Sequence, residues 1–297
     1  MTAPVLEITD LTVSVPEVTR TDGGRGGLTL VEGVSLSLSR GERVALVGES
    51  GSGKSMTAKA VMRLDPTVDL SGSIRVVGQE VIGVPERAVR RLRGSAVSMV
   101  FQDPMTALNP VLTIGDQVAE PLRLRGVSRR EARSRAIDML DRLGVPSAAR
   151  RIDAFPYEFS GGMRQRVVMA AALIGGPDVL IADEPTTALD VRVQEQVLDL
   201  LEEQSRELGL AVLLITHDLA IVAGFAHRVV VMRHGRIVED RPVDDVFAAP
   251  QHPYTRGLLA SIPSVDDDPT ARLRTVDDVM QEDAALAASV ILEEVAP

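Results

Sequence analysis

The 297-residue sequence contains no cysteine. This absence excludes disulfide bonds, thiolate metal ligands, iron–sulfur clusters and a cysteine nucleophile. It is consistent with a reducing compartment. A chain of this length buries about 75% of the surface that its unfolded form exposes, so a hydrophobic core can stabilise it without cross-links. The length allows one large domain or two of ordinary size.

Long hydrophobic runs are also absent. No stretch approaches the ~18 uninterrupted apolar residues of a membrane-spanning helix, and the N-terminus lacks the basic and apolar regions of a secretory signal. The net charge of -10 argues against a nucleic-acid-binding protein, which usually carries a basic surface. An arginine run at residues 87–93 has no interleaved aromatic residue, so we interpret it as a solvated helix face.

Aromatic residues and lysine are both scarce. Tryptophan is absent, and the two tyrosines and five phenylalanines all lie at or after Phe101. Lys54 and Lys59 are the only lysines among 32 basic residues. The first hundred residues therefore offer no aromatic ring to a ligand, and lysine at position 54 stands out against an arginine-rich background.

The hydrophobic pattern predicts an α/β fold. Val34, Leu36 and Leu38 alternate with serines, which is typical of a half-buried strand. Short continuous apolar runs at residues 44–47, 179–182, 212–215 and 229–232 predict buried strands of a parallel sheet. Apolar residues at helical spacing over 193–208 predict a crossover helix, and a predominantly helical block at about 104–173 interrupts the strands.

The strongest motif is a phosphate-binding loop that follows the first buried strand. The glycines of G-x-x-x-x-G-K-S let backbone N–H groups approach phosphate oxygens, and the next helix presents its N-terminus to them. Lys54 would place a compact charge at the β- and γ-phosphates, and Ser55 offers a hydroxyl to Mg²⁺. The predicted nucleotide-binding residues here are Gly48, Glu49, Ser50, Gly51, Ser52, Gly53, Lys54, Ser55 and Met56.

Two carboxylates and a histidine follow later strands. Asp183 and Glu184 come after the strand at 179–182, and His217 comes after the strand at 212–215. Taken alone, Asp183-Glu184-Pro185 is ordinary turn chemistry, and His217 could equally be a histidine of the core. Beside a phosphate loop, Asp183 is expected to support Mg²⁺, Glu184 to activate water and His217 to contact the γ-phosphate. All three follow strand ends, where open α/β sheets bind ligands.

Further motifs give a specific resemblance, which covers about residues 5–250. Residues 160–166 (SGGMRQR) resemble the signature motif of ATP-binding-cassette (ABC) ATPases, and residues 101–104 (FQDP) resemble their Q-loop. Residues 188–190 (ALD) resemble the D-loop, and residues 216–218 (THD) the segment with the switch histidine. The resemblance implies a parallel-sheet core with a phosphate loop, an N-terminal antiparallel β subdomain and an inserted helical subdomain.

The resemblance also implies residue roles. Ser55, Gln102 and Asp183 are expected to hold Mg²⁺, while Glu184 is the expected catalytic base, with His217 and Gln102 as further catalytic residues. Ser160, Gly161, Gly162 and Asp190 are expected to bind nucleotide, with Ser160 and Gly162 contacting the ATP of an opposite subunit. Ser160 can also cap a helix whose first N–H groups face an incoming phosphate.

A narrower resemblance is to the oligopeptide/dipeptide/nickel importer branch. It rests on residues 101–110 (FQDPMTALNP), 182–190 (ADEPTTALD) and 252–255 (HPYT). It implies an ATPase domain at 1–250, with the helical subdomain at about 104–173, and a C-terminal extension at 251–297. The implied partners are two membrane permeases, a second ATPase subunit of the same or a different chain and, indirectly, an extracellular solute-binding protein. The expected location is the cytoplasmic face of the membrane.

Alternatives at this point are transport of another solute such as nickel, a non-transport ABC ATPase, and a small-molecule kinase. A kinase would need neither the signature motif nor His217.

The family usually has an N-terminal aromatic residue that stacks on adenine, whereas Val13 or Val15 occupies that place here. We therefore expect weak discrimination between ATP and GTP.

The segment from Ser264 onward has nine acidic residues against two arginines, so it holds most of the net negative charge.

Overall fold

A computed structural model describes residues 3–19, 25–101, 107–185, 190–261 and 275–281. Within these ranges the chain forms two sheets, several helices and a C-terminal segment that packs back onto the larger sheet. The strands are β1 (Leu6–Thr19), β2 (Arg25–Leu38), β3 (Arg43–Val47), β4 (Asp69–Val76), β5 (Gln79–Glu80), β6 (Val97–Val100), β7 (Val179–Asp183), β8 (Ala211–Ile215), β9 (Arg228–Arg233) and β10 (Arg236–Pro242).

The helices alternate with the strands of the larger sheet or form a separate group between β6 and β7. They are α1 (Lys54–Met62), α2 (Glu86–Leu92), α3 (Ile114–Leu124), α4 (Arg129–Arg142), α5 (Ala148–Arg151), α6 (Gly161–Leu173), α7 (Val191–Leu208), α8 (Leu219–Phe225), α9 (Val243–Ala248) and α10 (Pro253–Ala260). A 3₁₀ turn spans Pro156–Glu158, and residues 276–281 are helical. Within the described ranges, no helix is both long and apolar enough to cross a membrane.

The larger sheet has six strands in the order β10-β9-β3-β8-β7-β6. The strands from β9 to β6 are parallel, and β10 returns antiparallel to β9. β7 and β8 are buried at every position because a hydrophobic core cluster packs against each face of the sheet. The predicted buried strands and the crossover helix α7 are thereby confirmed.

The smaller sheet is antiparallel, in the order β2-β1-β4-β5. On β2, Val34, Leu36 and Leu38 are buried, as the alternation with serine predicted. Val13 on β1 is also fully buried in the apolar core beneath this sheet. Its side chain is therefore not available for a ligand, which leaves Val15 as the position to consider for base contact.

Helices α3 to α6 form the group inserted between β6 and β7. Each of the three longer ones begins at a residue whose side chain accepts a hydrogen bond from the first turn. Thr113 caps α3, Ser128 caps α4 by accepting from the Glu131 N–H at 3.2 Å, and Ser160 caps α6. The inserted helical group confirms this part of the predicted fold class; the boundaries at 104 and 173 stay predictions, as do those at 250 and 251.

The chain after β10 is anchored by a buried glutamate. The Glu239 side chain is only 3% exposed, and its two carboxylate oxygens accept the backbone N–H groups of Gln251 and His252 at 2.9 and 3.0 Å. Burial by itself would raise the pKa of Glu239, but these hydrogen bonds, together with the Thr255 side chain and the charge of Arg241, outweigh it and leave the pKa below its ordinary value. This contact fixes the start of α10 against the edge of the sheet.

We expect Glu239→Gln to lower the free energy of unfolding by about 2 kcal/mol at pH 7, because one accepting oxygen becomes an amide that faces an N–H donor. The folded-state pKa of Glu239 lies below the unfolded value, so its stabilisation is complete above about pH 4.5 and is lost as the pH falls through the folded-state pKa. Urea unfolding at pH 7 and at successively lower pH measures both effects. Glu195→Gln, at an exposed site on α7, is the matched control; equal stability of the two variants at pH 7 would contradict the assignment.

Candidate active site

The predicted site residues follow three neighbouring parallel strands. The phosphate loop follows β3, Asp183 ends β7, and His217 lies two residues after β8. In the sheet register, Leu46 on β3 pairs with Ile215 on β8, and Ile215 pairs with Asp183 on β7. The carboxyl ends of these strands therefore meet at one edge of the sheet, which is where such folds bind ligands.

The backbone of the loop needs glycine at specific places. Gly48 has φ 148°, and a Cβ there would lie 2.2 Å from the Met232 carbonyl oxygen. Gly53 has φ 104°, and a Cβ there would lie 3.1 Å from the Leu30 carbonyl oxygen. The loop is also bonded from behind, since the Gly235 N–H donates to the Ser52 carbonyl at 3.0 Å. The turn between β9 and β10 thus supports the loop.

Lys54 folds its side chain over the loop. Its Nζ donates to the carbonyl oxygens of Gly48 at 2.7 Å and Glu49 at 2.8 Å, and to Ser52 Oγ at 3.2 Å. Burial lowers the pKa of Lys54, against the attraction of Glu184, Asp183 and Glu49. The loop therefore holds a partly desolvated cation whose present partners are neutral oxygens, and a phosphate would be a stronger partner.

Two of the three predicted metal-binding residues, Ser55 and Asp183, are in contact. Ser55 Oγ donates to Asp183 Oδ1 at 3.2 Å. Burial raises the pKa of Asp183, the Ser55 hydrogen bond lowers it, and the charge of Glu184 raises it further, with a net rise. In the described ranges no group of three or more His, Asp or Glu side chains could hold a metal. One hydroxyl and one carboxylate suit Mg²⁺, which takes its remaining ligands from water and substrate phosphates.

Glu184 and His217 are in direct contact. His217 Nδ1 lies 3.1 Å from Glu184 Oε1, and the Glu184 side chain is 17% exposed while that of His217 is 68% exposed. Glu184 has φ 48°, an unusual value for a residue with a side chain, and its N–H donates to the Ile215 carbonyl at 2.9 Å. Unfavoured backbone conformations of this kind concentrate at functional sites.

A cavity of about 300 Å³ lies over the loop. Predicted site residues form most of its wall, together with Leu30 from β2 and Ile215 from β8. The predicted residues that line it are Ser50, Gly51, Gly53, Lys54, Ser55, Met56 and Glu184. The structure thus places the proposed base and the phosphate loop on the same cavity, which is at the lower end of the size range for small-molecule sites.

The predicted residues of the signature motif and the D-loop lie apart from this cavity. Ser160 and Gly161 are exposed at the start of α6, where Ser160 accepts from the Met163 N–H at 3.4 Å. Asp190 caps α7 by accepting from the Val193 N–H at 3.0 Å. Within the described part of the chain, no hydrogen bond joins the phosphate loop to Ser160, Gly161, Gly162 or Asp190. Gln102 lies outside the described residues.

Two contacts of the site were not predicted from the sequence. Gln165, in the signature helix α6, is buried and donates from Nε2 to the Pro185 carbonyl at 2.7 Å, one residue beyond Glu184. Tyr254, in α10, accepts the Glu49 N–H of the phosphate loop on its hydroxyl at 2.8 Å. The motifs SGGMRQR and HPYT contain these residues, but neither motif by itself indicates which side chain reaches the site.

Comparisons with known families cover most of the chain. Residues 31–187 match the ABC transporter family, and residues 238–286 match the C-terminal region of oligopeptide/dipeptide transporters. A peptide import ATP-binding protein of Brucella abortus (strain 2308) is 50% identical over 284 residues, which is 95% of this chain and 83% of that protein. One from Brucella melitensis biotype 1 is 53% identical over 250 residues, 81% of this chain and 74% of that protein.

Solved structures agree with these sequence matches. The ATP-binding cassette MJ0796, a dimer in a post-hydrolysis state with ADP and Pi, superposes with a TM-score of 0.71 at 27% identity, over 80% of this chain and 98% of that one. The cbiO1 subunit of the cbiONQ transporter from Clostridium perfringens gives 0.67 at 28% identity, over 84% of this chain and 92% of that one. The chain therefore belongs to the ABC transporter family, as an ATPase of its oligopeptide/dipeptide branch.

Proposed function

We propose that the chain binds and hydrolyses ATP at the cavity over the phosphate loop and thereby energises a peptide importer. The observation that carries the proposal is that Glu184 lines the same cavity as Lys54 and Ser55 and is in contact with His217. A carboxylate, an imidazole, an ammonium and a hydroxyl are thereby gathered at one sheet edge. This is the set of groups needed to hold a triphosphate and direct water at its end.

The reaction follows from these positions. Lys54 would exchange its carbonyl partners for β- and γ-phosphate oxygens, and the loop N–H groups would bind the same oxygens. Ser55 and Asp183 would hold Mg²⁺, which supplies neutralisation of phosphate charge. The Glu184 carboxylate accepts a proton from water as the water oxygen bonds to the γ-phosphorus and the bond to the bridging oxygen of ADP breaks. His217 fixes the Glu184 carboxylate through their hydrogen bond.

The signature residues would complete the site of a second ATPase subunit. Ser160 and Gly161 are exposed, and the N–H groups at the start of α6 are positioned to meet an anion from outside the chain. Asp190, at the start of α7, would bind nucleotide at the same contact between the two subunits. Gln102 would link nucleotide and metal to the transport partner. Two such chains, identical or different, would close around ATP and separate after hydrolysis.

The remaining partners follow from the branch. We propose that residues 1–250 form the ATPase domain, with the helical subdomain at about 104–173, and that residues 251–297 form the C-terminal extension. Two permeases would hold the chain at the cytoplasmic face of the membrane, and an extracellular binding protein would deliver the peptide. The relatives named as peptide import ATP-binding proteins support this assignment over nickel transport. Affinity purification of the intact complex tests it, because two permeases must accompany the chain.

Glu184 is the proposed catalytic base. We expect Glu184→Gln to preserve ATP binding and to lower hydrolysis by about 10²–10⁴-fold, because the amide cannot accept a proton from water. Phosphate release and equilibrium binding of ATP, measured on the same preparation, check both parts. Glu207→Gln, at the exposed end of α7, is the control. Hydrolysis by Glu184→Gln at the wild-type rate would remove Glu184 from the role of base.

Asp183 is the buried carboxylate of the proposed metal site. Because the pKa of Asp183 is raised in the folded chain, its ionised form disfavours folding at pH 7, and the penalty disappears as the pH falls below the unfolded value of about 3.8. We therefore expect Asp183→Asn to stabilise the nucleotide-free chain by about 1 kcal/mol. The same variant should lose the stabilisation that Mg²⁺ adds to bound nucleotide. Thermal unfolding with ATP, with and without Mg²⁺, measures both effects; a less stable nucleotide-free variant would contradict the first.

Recognition of the nucleobase depends on the residues available beside it. Val15 is half-buried on β1 and pairs with Leu28 on β2, the strand that also carries Leu30 of the cavity wall. With no aromatic ring before Phe101, we expect ATP and GTP to bind within about tenfold of one another. Val15→Tyr should tighten ATP binding by about fivefold through stacking, whereas Val15→Leu should not. ATP binding more than about a hundredfold tighter than GTP in the wild type would refute weak discrimination.

A further inference from the structure

Tyr254 connects the C-terminal segment to the phosphate loop. It is fully buried at the start of α10, and its hydroxyl accepts the backbone N–H of Glu49 at 2.8 Å. Glu49 is the second residue of the loop, and its carbonyl oxygen accepts from Lys54 Nζ. Lys54 and Tyr254 thus hold the backbone of Glu49 at two separate atoms.

The tyrosine itself is held in place by several contacts. Its backbone N–H donates to His252 Nδ1 at 3.1 Å, and the Arg233 guanidinium lies 5.0 Å from the centre of its ring. The preceding residues, Gln251 and His252, are bonded to the buried carboxylate of Glu239. The ring therefore has little freedom, and the hydroxyl position is set by the fold rather than by the loop that it contacts.

A phosphate loop binds well only when its backbone groups are already oriented toward the ligand. Without the Tyr254 hydroxyl, the Glu49 N–H would face an apolar ring at a partly buried site, and an unsatisfied N–H of this kind favours rotation of the peptide. Rotation of this peptide would also displace the Gly48 carbonyl, which accepts from Lys54 Nζ at 2.7 Å. We propose that Tyr254 is a positioning residue for ATP binding, acting from the C-terminal extension through the Glu49 N–H.

This inference rests on the proposed function, because it assigns a role within the same ATP site. It gives a residue of the C-terminal extension an indirect part in nucleotide binding, through the backbone of the phosphate loop. Each of the first three residues of the motif HPYT then has a separate role. The His252 side chain caps α10, Pro253 is the first residue of that helix, and Tyr254 contacts the phosphate loop.

The test is the dissociation constant for ATP of the full-length chain, measured by calorimetry for Tyr254→Phe. We expect it to rise about tenfold, the change for one lost hydrogen bond of about 1.4 kcal/mol. Tyr157→Phe is the matched control, since Tyr157 is the other tyrosine, is 67% exposed and lies outside the proposed site. Thermal unfolding without nucleotide is measured for each variant.

A double-mutant cycle identifies the atom involved. Glu49→Pro removes the N–H donor, and Glu49→Ala removes only the side chain. Adding Tyr254→Phe should weaken ATP binding about tenfold in the Glu49→Ala chain and leave it unchanged in the Glu49→Pro chain. An equal loss in both backgrounds would show that Tyr254 acts by another route and would overturn the proposal.

The outcomes separate the inference from the proposed function. Failure of the wild-type chain to bind ATP would contradict the proposed function itself. If the wild type binds ATP and Tyr254→Phe binds it equally well, with only a lower unfolding temperature, then Tyr254 is purely structural and the inference is wrong. Should Glu49→Pro not fold, the comparison of Tyr254→Phe with Tyr157→Phe still decides this question.

Discussion

The site depends on the burial of Lys54 among the oxygen atoms of its own loop. An ammonium group taken from water needs hydrogen-bond acceptors, and the carbonyls of Gly48 and Glu49 supply them without any ligand. Those carbonyls can converge only because Gly48 adopts a backbone conformation that a side chain would block at Met232. The loop is therefore already bent around a positive charge, so binding a triphosphate replaces weak acceptors with strong ones rather than building a site.

Opposite charges surround this lysine without neutralising it directly. Asp183 is bonded to Ser55, and Glu184 is bonded to His217, so each carboxylate has a partner other than Lys54. The buried Asp183 has a raised pKa, which means that the folded chain holds a charge there at a cost. Sites that bind ions often carry such a cost, because the ion that offsets it is the one the site is built to bind.

The sequence predicted the fold and the geometry of strand ends well, for physical reasons that apply locally. Buried parallel strands appear as short apolar runs, and residues that follow them must meet at one sheet edge. This was enough to place Asp183, Glu184 and His217 near the loop after Val47. The alternation over Val34, Leu36 and Leu38 likewise marks the buried face of one strand by its period of two.

Contacts between distant segments could not be predicted in this way. Whether Val13 or Val15 is available to a base depends on which face of β1 packs on the core, and β1 carries register shifts that break simple alternation. The bond from Gln165 to Pro185 joins residues on different elements, and the contact of Tyr254 with Glu49 spans 205 positions. Such pairs are fixed by the packing of whole elements, which no local pattern records.

These long-range contacts reach two segments of the site from three directions. The turn after β9 bonds to Ser52, the C-terminal helix bonds to Glu49, and the signature helix bonds to Pro185 beside the proposed base. A displacement of α6 relative to the sheet would act on the Glu184 segment through Gln165, while the phosphate loop would stay fixed by Tyr254 and Gly235. The proposed site thus has one segment, the phosphate loop, that is bonded to the turn after β9 and to the C-terminal helix, and another, beside Glu184, that is bonded to the helical group.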